Sequence, residues 1–152
     1  MESSGFSRDT AAGMSEENVE IVRRLFDAFQ AALARNDPGA WFDSEALADE
    51  AEWILFPGFP GPESYRGRDG FVEFMRTWTE DFEDWSIELE RLIDAGDDRV
   101  VALFRQRATG KGSGVPVELH FAQVHELMGH RVIRVRNYAE ATEALEAAGL
   151  QE

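Results

Sequence analysis

The sequence predicts an α+β fold in which a curved, cone-shaped antiparallel sheet wraps around about three helices. The spacing of apolar residues is helical up to about residue 82 and alternates with a period of two from Trp85 onwards. Four long strand-like segments then follow one another through short connections that contain glycine. Helices that precede an uninterrupted antiparallel meander are typical of α+β domains.

The N-terminal part divides into a polar tail and an amphipathic helix. Residues 1–13 are small, polar and without period, which predicts a disordered tail ahead of a single domain at 14–152. Ser15 is a suitable N-cap, and apolar residues recur from there at three- and four-residue spacing up to about Arg35. Met14 is an alternative start of the functional chain, and the sequence leaves both starts open.

Two further helices and one strand are expected before the meander. The sequence predicts a short helix at Ala40–Ala48, a buried strand at Glu52–Phe56 and a longer helix at Arg68–Phe82. The proline- and glycine-rich segment 57–62 cannot form regular structure and is predicted to be a loop.

The meander is predicted to contain four strands joined by hairpins. Its turn at Gly129–His130 has the glycine that short hairpin loops favour. A short helix at Glu140–Ala148 is expected to end the domain. The strands are expected at Trp85–Ala95, Arg99–Thr109, Val115–Leu127 and Arg131–Asn137.

Composition disfavours several classes of function. The net charge of −15 opposes binding to nucleic acids and to anionic membrane surfaces. The chain has no cysteine, which excludes disulfides and thiolate chemistry. No apolar run approaches the roughly 20 residues of a membrane span, and no signal peptide is visible. We therefore expect a cytoplasmic protein without nucleic-acid or membrane partners.

The third strand of the meander predicts a cavity with polar groups at one end. Phe121, Gln123 and His125 share one face, which begins apolar and ends in an amide and an imidazole. Asn137 lies on the inward row of the last strand and is expected near Gln123. These two amides either orient a polar group of a ligand or satisfy each other and the backbone, as buried amides usually do.

His125 is the best candidate for acid/base chemistry near neutral pH. A partner carboxylate would come from Asp49, Glu50 or Glu52, near the first strand. The alternative interpretation is a structural histidine that is hydrogen-bonded near the rim of the cavity. The other two histidines occupy an outward strand position and a turn, so we expect neither a metal site nor a cofactor.

Aromatic residues are expected to form the walls of this cavity around a small hydrophobic molecule. Aromatic residues at helical spacing also build ordinary cores, so both roles stay open. With Phe121, the expected wall comprises Phe26, Phe29, Trp53, Phe59, Tyr65 and Trp78.

The outer face of the sheet is expected to be partly charged and partly apolar. Arg105 and Arg107 share one strand face, and we expect them to point outward and to pair with Glu118 or Glu126. If they faced inward instead, the ligand would be an acid. Apolar outer residues such as Val124 would still need cover, which predicts a homodimer through the sheets.

Six segments distributed along the chain point to a known family. They are SEENVEIVRRLFDAF (15–29), EW (52–53), YRGRDGFVEF (65–74), LIDAGDDRVVALFRQRATGKGSG (92–114), FAQVHEL (121–127) and NYAEATEALEAAGL (137–150). In these segments the chain resembles the SnoaL-like branch of the nuclear transport factor two-like superfamily. The resemblance is specific for the fold and for a mostly uncharacterised bacterial subgroup. The fold hosts cyclases, isomerases, dehydratases, epoxide hydrolases and non-enzymatic binders.

The resemblance implies roles position by position. The inward carboxyl donor of the ketosteroid isomerases falls on Gln123, which is a neutral hydrogen-bond donor. The isomerase tyrosine falls on Phe29 and the general-base aspartate falls near Leu55, and neither residue here can transfer a proton. The aldol-type cyclases of the SnoaL group use an inward carboxylate or histidine, a role for which His125 is available.

Two functions from different classes are therefore expected. An enzyme would carry out cofactor-independent cyclisation, isomerisation or dehydration of a carbonyl compound, in which His125 moves the proton while Gln123 and Asn137 hold the oxygen. The alternative is a non-catalytic ligand-binding or dimerisation module whose pocket has lost its acid and base.

Overall fold

The fold is an α+β arrangement in which helices pack on a curved sheet. A computed structural model describes the backbone of residues 2–59 and 61–150 and the side chains of residues 16–59 and 61–150. The helices are α1 (Glu2–Ala34), α2 (Gly67–Asp81) and α3 (Ala141–Ala147), and the strands are β1 (Leu47–Ile54), β2 (Ser64–Arg66), β3 (Phe82–Gly96), β4 (Arg99–Gly110), β5 (Pro116–Met128) and β6 (Arg131–Tyr138). Within these residues the sheet has six strands in the order β2-β1-β6-β5-β4-β3. The predicted fold class is confirmed.

The predicted four-stranded meander corresponds to β3–β6. Its strands pair antiparallel in sequence order, within a few residues of the predicted bounds. Asp97 and Asp98 have φ values of 54° and 60°, and Gly129 and His130 have φ values of 60° and 68°. Two consecutive residues with positive φ form the hairpin turn whose twist matches that of the flanking strands. A one-residue shift in the pairing of β5 with β6, between Glu126 and Leu127, then brings Asn137 opposite Gln123.

The second predicted helix is wrong in type and extent. A 3₁₀ helix occupies Pro38–Asp43, and β1 already begins at Leu47, inside the segment that was predicted to be helical. Trp41 of the 3₁₀ helix is buried, and its Nε1 donates a hydrogen bond of 3.1 Å to the carbonyl of Leu25. This contact ties the short helix to α1, and the following residues pair into the sheet.

The sheet is mixed, whereas the sequence predicts an antiparallel one. Strand β1 runs parallel to β6, with Trp53 opposite Val135, and antiparallel to β2. The two parallel strands are separated by most of the domain, so no local signal in the sequence indicates their pairing.

Helix α1 begins upstream of the predicted N-cap at Ser15. It starts at Glu2, and the side chains of residues 1–15 lie outside the described part of the structure. The division between a tail at 1–13 and a domain at 14–152 therefore stays a prediction. No helix within the described residues has the length and apolar character needed to cross a membrane.

Helices α1 and α2 pack on the inner face of the sheet, and α3 packs on its outer face. Leu145 of α3 and Ala148, which directly follows the helix, belong to a small apolar cluster with Val101 and Val124 of the sheet. These valines include the outer-face residues from which the sequence predicts a homodimer. Helix α3 of the same chain covers these valines, so they do not need a second subunit to cover them. The homodimer stays a prediction, without the support of an uncovered outer face.

The two arginines of β4 point outward, as expected. Arg105 lies 2.8 Å from Glu88 and 3.9 Å from Glu118, and Arg107 lies 3.5 Å from Glu118. Because side chains alternate along a strand, Gln106 between them faces inward. The interpretation with inward arginines, and with it the acidic ligand that they would require, is wrong.

Candidate functional site

A cavity lies between the inner face of the sheet and helices α1 and α2. The space open to the centre of a water-sized sphere is about 120 Å³, whereas a single water needs about 10–15 Å³ by this measure. The cavity can therefore contain an organic molecule. Its aromatic lining residues are Phe26, Phe29, Trp41, Trp53, Phe56, Phe59, Phe71, Phe74, Trp78, Trp85, Phe104 and Phe121.

The cavity is closed at one end and open at the other. Along the inner face of β5, the exposed fraction falls from 45% at Leu119 to 5% at Gln123 and 4% at His125. Strand β6 pairs with β5 only from Ala122 to Met128, so the inner residues before Ala122 lack its cover. We call the region of His125, Gln123 and Asn137 the closed end and the region of Leu119 the open end.

A chain of hydrogen bonds connects the polar residues of the closed end. Asn137 Nδ2 donates to the backbone carbonyl of Ile54 at 2.8 Å. Gln123 Nε2 donates to Asn137 Oδ1 at 3.0 Å, and His125 Nε2 lies 2.9 Å from Gln123 Oε1. All three side chains are buried and line the cavity. We call this arrangement the polar chain.

The backbone carbonyl fixes the direction of the polar chain and thereby the tautomer of His125. A carbonyl only accepts, so Asn137 must present its amide nitrogen to Ile54 and its oxygen to Gln123. Gln123 then presents its own oxygen to His125, which must carry the proton on Nε2. It follows that Nδ1 of the neutral imidazole has a free lone pair.

His125 is held in its neutral form by burial. Desolvation lowers the pKa of His125 from 6.5 to about 4, because a buried imidazolium loses its hydration. Its Nδ1 has no hydrogen-bond partner in the described part of the chain. Of the three carboxylates considered as partners, Glu52 pairs with Arg134 at 3.0 Å, and Asp49 and Glu50 are exposed.

Gln106 is a further buried polar residue of the cavity, and the sequence analysis did not select it. It is 8% exposed, and its Oε1 accepts a hydrogen bond of 2.6 Å from Trp85 Nε1. The inward row of Ala102, Phe104 and Gln106 resembles the row on β5 that ends in Gln123 and His125. This resemblance is the signal that could have identified Gln106, once the inward face of β4 is known.

The structure brings most of the expected wall residues together. Tyr65 is the exception, because it lies on the short strand β2 and packs against Phe74 with ring centroids 5.5 Å apart, outside the cavity lining. The roles of these residues in binding or catalysis stay predictions. The expected residues that do line the cavity are Phe26, Phe29, Trp53, Phe59, Trp78 and Phe121, together with the three residues of the polar chain.

Potential metal ligands do not converge within the described residues, where no group of three or more histidine, aspartate or glutamate side chains could hold an ion. The polar groups of the cavity are amides, indoles and one imidazole. Their chemistry is that of neutral hydrogen bonding.

Solved structures place this protein among the NTF2-like α+β folds. An NTF2-like protein from Burkholderia thailandensis is 26% identical, with a TM-score of 0.65 over 89% of this chain and 98% of that chain. A proposed SnoaL-like polyketide cyclase from a Jannaschia species is 20% identical, with a TM-score of 0.66 over 90% and 94%. TerC, co-crystallised with polyporic acid, is 16% identical, with a TM-score of 0.66 over 88% and 98%.

Within that fold, the chain belongs to the SnoaL-like domain family, whose sequence profile matches residues 22–135. The resemblance stated from the sequence is thereby confirmed. Comparison with curated protein sequences finds no match.

Proposed function

We propose that this protein binds a small, mainly apolar molecule in its cavity, with a polar group of that molecule against His125. The observation that supports this most directly is the lining, in which aromatic and aliphatic side chains surround the space and polar residues are concentrated at a few points. Burying apolar surface stabilises a complex by about 25 cal/mol per Å². The few polar groups of such a site orient the ligand.

The unpartnered nitrogen of His125 adds a preference for a hydrogen-bond donor. A buried acceptor without a partner costs about 1–3 kcal/mol. A hydroxyl or an N–H group of a ligand would offset this cost at Nδ1. The co-crystal of TerC with polyporic acid supports small-molecule binding as a use of this fold.

A reaction on the bound molecule is the second candidate function. It would be a cofactor-independent cyclisation, isomerisation or dehydration of a hydrophobic carbonyl compound, with His125 Nδ1 as the proton acceptor. Gln123 and Asn137 each use one amide N–H in the polar chain and keep a second N–H for a substrate oxygen. The free lone pair of a fixed tautomer is the observation that favours this candidate.

Two observations favour binding over catalysis. A histidine with a pKa of about 4 is a weak base near neutral pH. In addition, the carboxylates near β1 are engaged or exposed on the outside, so none of them assists His125. Ligand binding is therefore the function that the site supports best.

Native mass spectrometry of the purified protein tests the binding function. We expect a hydrophobic compound retained at one per subunit, which denaturation would release for identification. The same spectra report the oligomeric state and so test the proposed homodimer. A protein without bound compound, whose melting temperature does not respond to polyketide-, steroid- and terpenoid-like molecules, would contradict the proposal.

A His125→Ala variant separates the two candidate functions. If the protein is an enzyme, the variant loses turnover and retains ligand binding. If the site only binds, no turnover is found with either protein, and affinity changes only for ligands that donate to Nδ1. His120→Ala is the matched control because His120 lies on the outer face of the same strand and is exposed.

A further inference from the structure

Buried polar atoms without partners are concentrated in the cavity lining. Five such side-chain atoms occur among the described residues. Two of them are guanidinium Nε atoms of Arg99 and Arg105, which do not line the cavity and whose other nitrogens contact carboxylates. The remaining three, His125 Nδ1, Trp53 Nε1 and Trp78 Nε1, all belong to residues that line it.

The closed end presents both an acceptor and a donor. Trp53 of β1 and His125 of β5 both lie opposite Val135 of β6, so they share one transverse row of the sheet. The lone pair of His125 Nδ1 needs a donor, and the indole N–H of Trp53 needs an acceptor. A hydroxyl group of a ligand can donate to His125 Nδ1, and its oxygen keeps lone pairs that can accept.

The open end presents a donor without a partner among the described residues. The indole ring of Trp78 lies with its centroid 5.8 Å from that of Trp85, whose N–H already donates to Gln106 Oε1. The oxygen of Gln106 already accepts this bond, and its amide N–H groups are donors that it can offer the cavity. The N–H of Trp78 is a further donor and has no partner in the described part of the chain, so a carbonyl oxygen matches this end.

The distance between the two ends of the cavity restricts the shape of a ligand that reaches both. Gln106 lies six positions along β4 from Val100, the partner of His125, which corresponds to about 20 Å of strand. The stacked rings of Phe104 and Phe121 lie between them, with centroids 5.1 Å apart. A molecule that reaches both ends must be elongated, with an apolar and preferably aromatic middle.

We infer that Trp78 and Gln106 form a second polar subsite at the open end, which binds a hydrogen-bond acceptor. The ligand class is then an elongated aromatic compound with a hydroxyl group for the closed end and a carbonyl oxygen for the open end. This inference rests on the proposed function, because it assigns specificity within the same cavity.

Three para-terphenyl probes, long enough for the distance between the two ends, test the subsite by isothermal titration calorimetry. The first has a para-hydroxyl group on one terminal ring and a para-acetyl group on the other. The second lacks the hydroxyl group, and the third has an ethyl group in place of the acetyl group. The wild-type protein should bind the first probe about tenfold more tightly than either of the others, as expected for one hydrogen bond at each end.

Two variants locate the acetyl contact. Trp78→Phe removes the indole N–H and keeps a ring for the stacking contact with Phe82. Gln106→Leu removes the amide and also leaves Trp85 without its acceptor, so its melting temperature must be recorded. Each variant should weaken the two acetyl-bearing probes several-fold and leave the affinity of the ethyl-bearing probe unchanged.

The possible results distinguish the subsite from the binding function. If the wild-type protein binds the acetyl and ethyl probes equally, or if Trp78→Phe weakens all three probes alike, the subsite is refuted and binding in the cavity stands. If no terphenyl binds, the inferred ligand class is wrong, and the retained compound in the native mass spectra decides the binding function separately.

Discussion

The two faces of β5 carry polar residues of different kinds, neutral groups on the inner face and charged groups on the outer face. On the inner face, Gln123 and His125 are buried, neutral and joined in a directed chain. On the outer face, Glu118 and Glu126 are partly exposed and pair with arginines of the neighbouring strands. Water stabilises and screens charges on the outside, whereas on the inside burial disfavours the charged imidazole and leaves Nδ1 of His125 without a partner among the residues that the structure describes.

The two faces of the sheet also differ in the protonation states that they stabilise. On the outer face, the hydrogen bond and the charge of Arg105 lower the pKa of Glu88, so its carboxylate stays ionised. On the inner face, burial lowers the pKa of His125 and keeps its imidazole neutral. One face thus maintains charges and the other excludes them, and substitutions on the two faces should differ in effect.

The largest expected effect is the acid dependence of stability that His125 causes. Below pH 6.5 the unfolded chain binds a proton at this residue, whereas the folded chain does not until about pH 4. The free energy of unfolding should therefore fall by about 3 kcal/mol between these two pH values. Urea unfolding of wild type and His125→Gln across this range isolates the contribution, because the carboxylates titrate in both proteins.

His120→Gln is the control for this measurement, since His120 is exposed on the outer face. This control should reproduce the wild-type acid dependence. If His125→Gln shows the same loss of stability as wild type, burial does not hold the histidine neutral.

A smaller effect is expected from interrupting the polar chain. Gln123→Leu leaves His125 Nε2 and Asn137 Oδ1 without their partners and should destabilise the protein by about 2 kcal/mol at neutral pH. The midpoint of urea unfolding measures this loss. An unchanged midpoint would mean that the inner amides act independently of one another.

The smallest effect is expected on the outer face. Glu88→Gln removes the charge that faces Arg105, at a side chain that is 61% exposed, and it keeps an oxygen that can accept. The urea midpoint should stay within experimental error of wild type at physiological salt. A shift as large as that of Gln123→Leu would remove the distinction between the two faces.

Much of this architecture could be predicted because strand alternation is a local property. Alternation places Gln123, His125 and Asn137 on the inner face, and the outward positions of Glu118 and Glu126 favour outward arginines on β4. The proximity of Gln123 and Asn137 depends on a further feature, because the pairing that starts at the Gly129–His130 turn shifts by one residue between Glu126 and Leu127. This shift places Asn137 rather than Arg136 opposite Gln123.

The features that could not be predicted from the sequence depend on contacts between distant parts of the chain. Gln106 was missed because both faces of β4 carry polar residues, and only the pairing with Glu88 and Glu118 decides which face is inner. The cover that α3 provides over Val101 could not be predicted, because a short helix has no local signal for the surface on which it packs. The parallel pairing of β1 with β6 is long-range in the same sense.

The polar chain ends at a group that no substitution can remove. The carbonyl of Ile54 belongs to the main chain, so every side chain that is linked to it takes its orientation from the backbone path of β1. Another amide or a hydroxyl residue in place of Gln123 or Asn137 would leave this acceptor unchanged, and the side chain next to Ile54 would still have to donate to it. The acceptor that His125 presents at the closed end therefore follows from the main chain of β1.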